Sequence, residues 1–118
     1  MIQILKAKIH RATVTDANLN YEGSISISDE LIEASGIYPY EKVLVADVNN
    51  GQRFETYVIK VSVPNTICVN GAAAHLVNIG DKVIIMAYRY IEEGQAEGYM
   101  PTVVLVDDNN AIKCSDRI

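Results

Sequence analysis

Asn50-Gly51, set between β-branched and aromatic runs at 43–48 and 52–63, constrains this chain more than any other feature. The pair readily takes left-handed backbone conformations, so it predicts a type I′ turn and an antiparallel hairpin. Residues 2–15 roughly alternate, and Ser24-Ile25-Ser26-Ile27 alternates strictly, which is the period of a half-buried strand. Tyr21-Glu22-Gly23 joins these two strands. Further turns at Pro64-Asn65, Gly80-Asp81, the loop with Gly94, Gly98 and Pro101, and 107–110 leave strands over 66–69, 82–91, 102–106 and 111–114. Ser28 is a good helix N-cap, Asp29 and Glu30 suit the positive end of the dipole, and Gly36 suits the stop, so a helix of about two turns is expected. Residues 71–75 allow one helical turn more. Many short strands and little helix predict a mainly β fold, a small closed barrel, because closure removes exposed strand edges.

The chain has 118 residues and shows no repeat, low-complexity segment or linker, so one domain over 1–118 is expected. A net charge of −5 opposes nucleic-acid phosphates and anionic lipid, which need clustered Lys and Arg. No nucleic-acid or membrane partner is expected. Residues 1–6 carry no apolar leader, and no run reaches membrane-spanning length, so a cytosolic protein is expected. Cys68 and Cys114 form no CxxC pair and are read as packing thiols. With only two histidines, His10 and His75, and no HExxH, nothing in the sequence points to a metal site.

Gly23-Ser24 alone is an ordinary turn dipeptide. It stands, however, in a series of blocks: Lys8-Ile9-His10-Arg11, Tyr21-Glu22-Gly23-Ser24, Asn50-Gly51-Gln52-Arg53-Phe54-Glu55-Thr56-Tyr57, Asn70-Gly71-Ala72-Ala73-Ala74 and Gly80-Asp81-Lys82-Val83-Ile84-Ile85. Through these the chain resembles the pyruvoyl-dependent aspartate 1-decarboxylase family over nearly its whole length. The resemblance implies a double-psi β-barrel, a homotetramer with active sites between subunits, and cytoplasmic conversion of L-aspartate to β-alanine for pantothenate and coenzyme A synthesis. It implies a covalent pyruvoyl group in place of pyridoxal phosphate, with no metal. A noncatalytic double-psi barrel that binds a protein or small ligand is the competing reading, since a fold alone does not specify chemistry.

The implied maturation has a physical basis. Ser24 Oγ attacks the Gly23 carbonyl if the turn holds them together, and the peptide becomes an ester. Gly23 gives the backbone access to conformations closed to other residues, and a strained turn storing ~1–3 kcal/mol would favour the shift. β-Elimination then frees residues 1–23 and leaves dehydroalanine at 24, which hydrolyses to pyruvoyl and ammonia. The new ketone forms a Schiff base with aspartate and takes up the electrons released as the α-carboxylate leaves. Any maturation factor is unknown.

By the same resemblance, Tyr57 is the proton donor, a phenol with a proton to give at neutral pH. Lys8 and Arg53 are the expected partners of the substrate carboxylates, with Arg53 on the β-carboxylate because its planar fork suits a bidentate grip. Strand period puts Lys8 with His10 on one face and Arg53 with Tyr57 on another, while Thr56 points the opposite way. Yet Thr56 matches a residue that binds substrate and assists cleavage. Either a bulge re-aims it or the site meets both faces at a subunit boundary. Gly71, Ala72 and Ala73 offer backbone N–H groups and close approach to substrate. Asn70 is a candidate helper in processing, Tyr21 a further candidate, and His10 stands open between site residue and structural histidine. Ser28 replaces a commonly acidic residue, 63–65 replaces a glycine-rich turn, and 92–98 and the tail beyond 111 match least.

Overall fold

The alternating runs form nine strands in a computed structural model that describes residues 1–117, with side chains through residue 113. In chain order these are β1 (Ile2–Thr13), β2 (Asp16–Asn18), β3 (Ser24–Ser28), helix α1 (Asp29–Ser35), β4 (Lys42–Asp47), β5 (Arg53–Val61) and β6 (Ile67–Asn70). A 3-10 helix (Gly71–Leu76), β7 (Lys82–Ile91), a second 3-10 helix (Glu93–Gln95), β8 (Thr102–Val106) and β9 (Ile112–Arg117) complete the order. The fold is mainly β, as the punctuation predicts. Strand β2 was not anticipated: at three residues it is too short for a period to register, and it exists because Asp16 to Asn18 pair in parallel with Cys68 to Asn70.

The strands hydrogen-bond in the order β2-β6-β3-β5-β4-β7-β1-β8-β9, with parallel pairs β2–β6, β3–β5 and β1–β8 among antiparallel ones. The order is open at β2 and β9, yet the sheet is strongly curled. In a flat sheet β3 and β8 would lie five spacings apart, roughly 24 Å. Helix α1, only about 10 Å long, nevertheless packs against both. Ile9, Ile25, Val45, Val58, Val69, Ile85 and Val104, drawn from seven strands, therefore share one core. Fully burying each such side chain contributes about 1.5–3 kcal/mol.

Local expectations met mixed outcomes. The β4–β5 hairpin forms with Ala46 opposite Arg53, but its turn is not type I′. That turn needs positive φ at both central residues, and of the pair only Gly51 has it, at 77°. The Asp47 carboxylate widens the loop instead, accepting the N–H groups of Asn49 at 2.8 Å and Asn50 at 3.2 Å. Ser28 precedes α1 as expected but caps nothing, because β3 holds it against Val61; its Oγ is buried without a hydrogen-bond partner among the described residues. Gly36 ends the helix in the left-handed region at φ 73°, donating its N–H to Ile32 O at 3.0 Å.

The turn at 107–110 carries a fastening that sequence reading did not find. Asn110, fully buried, accepts the Thr13 N–H at 2.7 Å and donates to the carbonyls of Thr13 at 2.9 Å and Asn65 at 3.1 Å. One amide thus ties together the end of β1, the β5–β6 turn and the β8–β9 turn.

Candidate active site

Ser24 opens β3 and stands directly opposite Asn70, the last residue of β6. Side chains two apart on a strand share a face, so Ser24 and Ser26 meet Cys68 and Asn70 across the pair. Asn70 Nδ2 donates to Ser24 Oγ at 3.0 Å and to Ser26 Oγ at 3.1 Å. Ser24 Oγ in turn donates to the Glu22 carbonyl at 3.1 Å, which folds the hydroxyl back toward the chain that precedes it. Cys68 Sγ donates to Asn70 Oδ1 at 3.2 Å. Ser24 and Asn70 are 4% and 3% exposed, so the central pair of the network is shielded from water, while Ser26 and Cys68 are half-buried. Burial, with a smaller contribution from Asp16, pushes the Cys68 thiol up from its ordinary pKa and keeps it a donor.

The conformational demand expected at Gly23 falls elsewhere. Gly23 is not in the left-handed region, and a Cβ built on it meets nothing within 4 Å. Gly71 carries the constraint: its φ is 74°, and a Cβ there would lie 2.6 Å from Gly23 Cα, 2.7 Å from Gly23 N and 3.1 Å from Tyr21 O. The residue after Asn70 thus presses backbone to backbone on the residue before Ser24.

Beside Ser24 opens a cavity of about 510 Å³, lined by Tyr21, Glu22, Ser24, Ser26, Tyr57, Ile59, Val61 and Asn70. The parallel register pairs Ile25 with Val58, and one step back sets Ser24 level with Tyr57. Tyr57, Ile59 and Val61 alternate along β5 on that face. The Tyr57 ring stacks on Tyr40, centroids 6.4 Å apart. The structure thus brings Gly23, Ser24, Tyr21, Tyr57, Asn70 and Gly71 together.

Other candidates stand apart from this cavity within one chain. Neither Lys8 nor Arg53 lines it; Lys8 pairs with Met86 and Val103, and Arg53 is exposed at the start of β5. The pairing of β5 with β4 runs without a shift from Arg53 to Tyr57, so no bulge re-aims Thr56 there. Thr56 instead lines a shallow recess of about 280 Å³ with Lys42, Glu55 and Tyr57. Ala72 is exposed and Ala73 half-buried in the 3-10 helix. His10 faces a separate recess with Arg11, Lys82 and Asp107. Its Nδ1 has no partner among the described residues, and burial, then Lys8 and Arg11, hold its pKa below the ordinary value.

Sequence reading missed Cys68 and Ser26 as members of the network. Cys68, expected only to pack, is hydrogen-bonded; the side chain of Cys114 lies outside the described residues. The available signal was the period of two, Ser24 with Ser26 and Cys68 with Asn70, which becomes informative once β3 and β6 are known to pair. Among the described residues no group of three or more His, Cys, Asp or Glu is placed to hold a metal, and no helix is long and apolar enough to cross a membrane.

The family model for aspartate decarboxylase matches residues 1–113. An aspartate 1-decarboxylase of Caldicellulosiruptor saccharolyticus is 61% identical over 113 residues, covering 95% of this chain and 88% of that protein. Proteins of the same name from Lactiplantibacillus plantarum and Campylobacter jejuni are 58% and 57% identical, covering 95% and 92% of this chain and 87% and 86% of theirs.

Proposed function

From the premise that the chain belongs to the aspartate decarboxylase family, we propose that it cuts itself between Gly23 and Ser24 and decarboxylates L-aspartate to β-alanine on a pyruvoyl group made from Ser24. Membership of an enzyme family sets aside the noncatalytic alternative. The observation that carries the self-processing reading is the Ser24 hydroxyl, buried, folded back on Glu22 and held by Asn70.

In cleavage, Ser24 Oγ bonds to the Gly23 carbonyl carbon, the Gly23–Ser24 C–N bond breaks, and the hydroxyl proton ends on the freed amine. The N–H bond from Asn70 favours charge building on Oγ as the proton departs. Loss of the Ser24 α-proton then expels the Gly23 carboxylate from Cβ, and water replaces the nitrogen as ammonia. The surroundings fit the product group, because Asn70 Nδ2 is a buried donor that a carbonyl oxygen accepts. A pyruvoyl group supplies a carbonyl that condenses with an amine and withdraws electrons as a carboxylate departs.

Tyr57, level with Ser24 and lining its cavity, is the group that returns a proton to the substrate carbon. Since Lys8, Arg53 and Thr56 line other surfaces of one chain, we assign them to sites completed between subunits of a homotetramer. There Lys8 and Arg53 pair with the substrate carboxylates, and Gly71, Ala72 and Ala73 permit its close approach. β-Alanine made in the cytoplasm would feed pantothenate and coenzyme A synthesis.

Intact mass of freshly purified protein, followed by an assay for β-alanine from aspartate, tests this reading. The expected species are a peptide of residues 1–23 and a larger chain blocked by pyruvoyl. Active material consisting of one uncut chain with an unmodified serine would overturn it. Tyr57→Phe should mature at the normal rate but turn over about 10²- to 10⁴-fold more slowly, the usual contribution of a positioned general acid. Unchanged turnover would remove Tyr57 from that role.

A further inference from the structure

The polarity of the hydrogen bonds around Asn70 is determined by counting protons. Ser24 has one hydroxyl proton and donates it to the Glu22 carbonyl, so toward Asn70 its oxygen accepts, and the group facing it must be the amide NH2. That NH2 has two protons, and the second goes to Ser26 Oγ. The Asn70 carbonyl Oδ1 is left facing Cys68, whose thiol donates to it at 3.2 Å. An Asn amide turned by half a rotation would set NH2 against the thiol and C=O against the Ser24 lone pairs, which repel it.

We propose that Cys68 is a positioning residue for self-cleavage: its thiol holds Asn70 Oδ1 and so keeps the Asn70 NH2 on the attacking oxygen of Ser24. The inference rests on the self-processing reading. Three features of the surroundings support it. Asn70 is 3% exposed, so water offers Oδ1 little substitute for the thiol. Burial raises the thiol pKa, so Cys68 stays protonated as pH rises through neutrality. Antiparallel pairing sets Cys68 opposite Ser26, the other anchor of the same amide, so both supports come from one cross-strand pair. A hydroxyl at position 68 can make the same donation; a methyl group cannot.

The test compares Cys68→Ser, Cys68→Ala and the unaltered chain by the rate at which uncut protein disappears. Cys68→Ala should mature roughly fivefold to tenfold more slowly, the worth of one buried hydrogen bond, and Cys68→Ser should stay within about twofold of the unaltered chain. A purely packing role predicts no such rescue, because a hydroxyl that made no hydrogen bond would cost free energy to bury and would leave serine no better than alanine. In parallel, nitrogen-edited NMR follows hydrogen exchange of the Asn70 side-chain amide, which Ser26 and Cys68 hold in the uncut chain. Exchange should quicken in Cys68→Ala and not in Cys68→Ser. Equal maturation and exchange in all three proteins, or a serine variant as slow as the alanine one, would overturn the proposal. Should the unaltered chain never cut itself, the self-processing reading fails, and a Cys68-independent amide exchange fails this inference separately.

Discussion

Ser24→Ala is expected to yield a chain that stays whole through prolonged incubation and makes no detectable β-alanine. The expectation is absolute because the hydroxyl has no stand-in: it is at once the attacking atom, the atom expelled with the Gly23 carboxylate, and the reason residue 24 becomes a ketone. The variant should still fold. Asn70 loses one acceptor but keeps Ser26 and Cys68, and the core residues Ile25 and Ile27 are untouched. The cost is one hydrogen bond, about 0.5–1.5 kcal/mol. A thermal midpoint lowered by less than about 10 °C, with no cleavage on a denaturing gel, would separate lost chemistry from lost structure. Any appreciable decarboxylation by this variant would refute a pyruvoyl group derived from Ser24.

Gly71→Ala is expected to have the second largest effect, although Gly71 contributes no side chain to the chemistry. Its φ of 74° costs an L-residue about 1–2 kcal/mol. The larger consequence is positional. A Cβ 2.6 Å from Gly23 Cα meets backbone and not a flexible side-chain end, so the segment carrying Tyr21 to Gly23 must move away. Such movement shifts the Gly23 carbonyl relative to Ser24 Oγ, and misplacement on the order of 1 Å costs about 10²-fold in an oriented reaction. Maturation should therefore slow by about that factor while the thermal midpoint falls only several degrees. Gly23→Ala is the informative control, because its Cβ meets open space and its φ is ordinary. If Gly71→Ala matured at the normal rate, the close approach would have no part in holding the scissile bond.

These two glycines mark how far the residues could be read in isolation. Gly23 was assigned the conformational demand because it precedes Ser24 in the chain. The demand belongs to Gly71, which precedes nothing reactive but lies under the turn once β3 and β6 pair. The Asn50-Gly51 hairpin was legible, while its turn type was not, because the Asp47 carboxylate supplies acceptors that a dipeptide rule ignores. Ser28 was legible as the residue before α1, but its pairing in β3 removes it from capping. A period of two put Arg53 and Tyr57 on one face of β5, and of the two Tyr57 lines the Ser24 cavity while Arg53 does not.

By itself the sequence determined where most strands, the helix and the turns fall, that the fold is mainly β, and which family the blocks resemble. These depend on side-chain period, cap chemistry and turn residues, which act over a few neighbours. Only the tertiary structure decided that Asn70 faces Ser24, that Cys68 donates to the Asn70 amide oxygen, that Gly71 underlies Gly23, and that Lys8 and Arg53 lie outside the cavity of their own chain. The physical reason is register. Which residue of β6 stands opposite Ser24 follows from burying the apolar faces of the strands in one curled sheet at once, and no local signal records that choice.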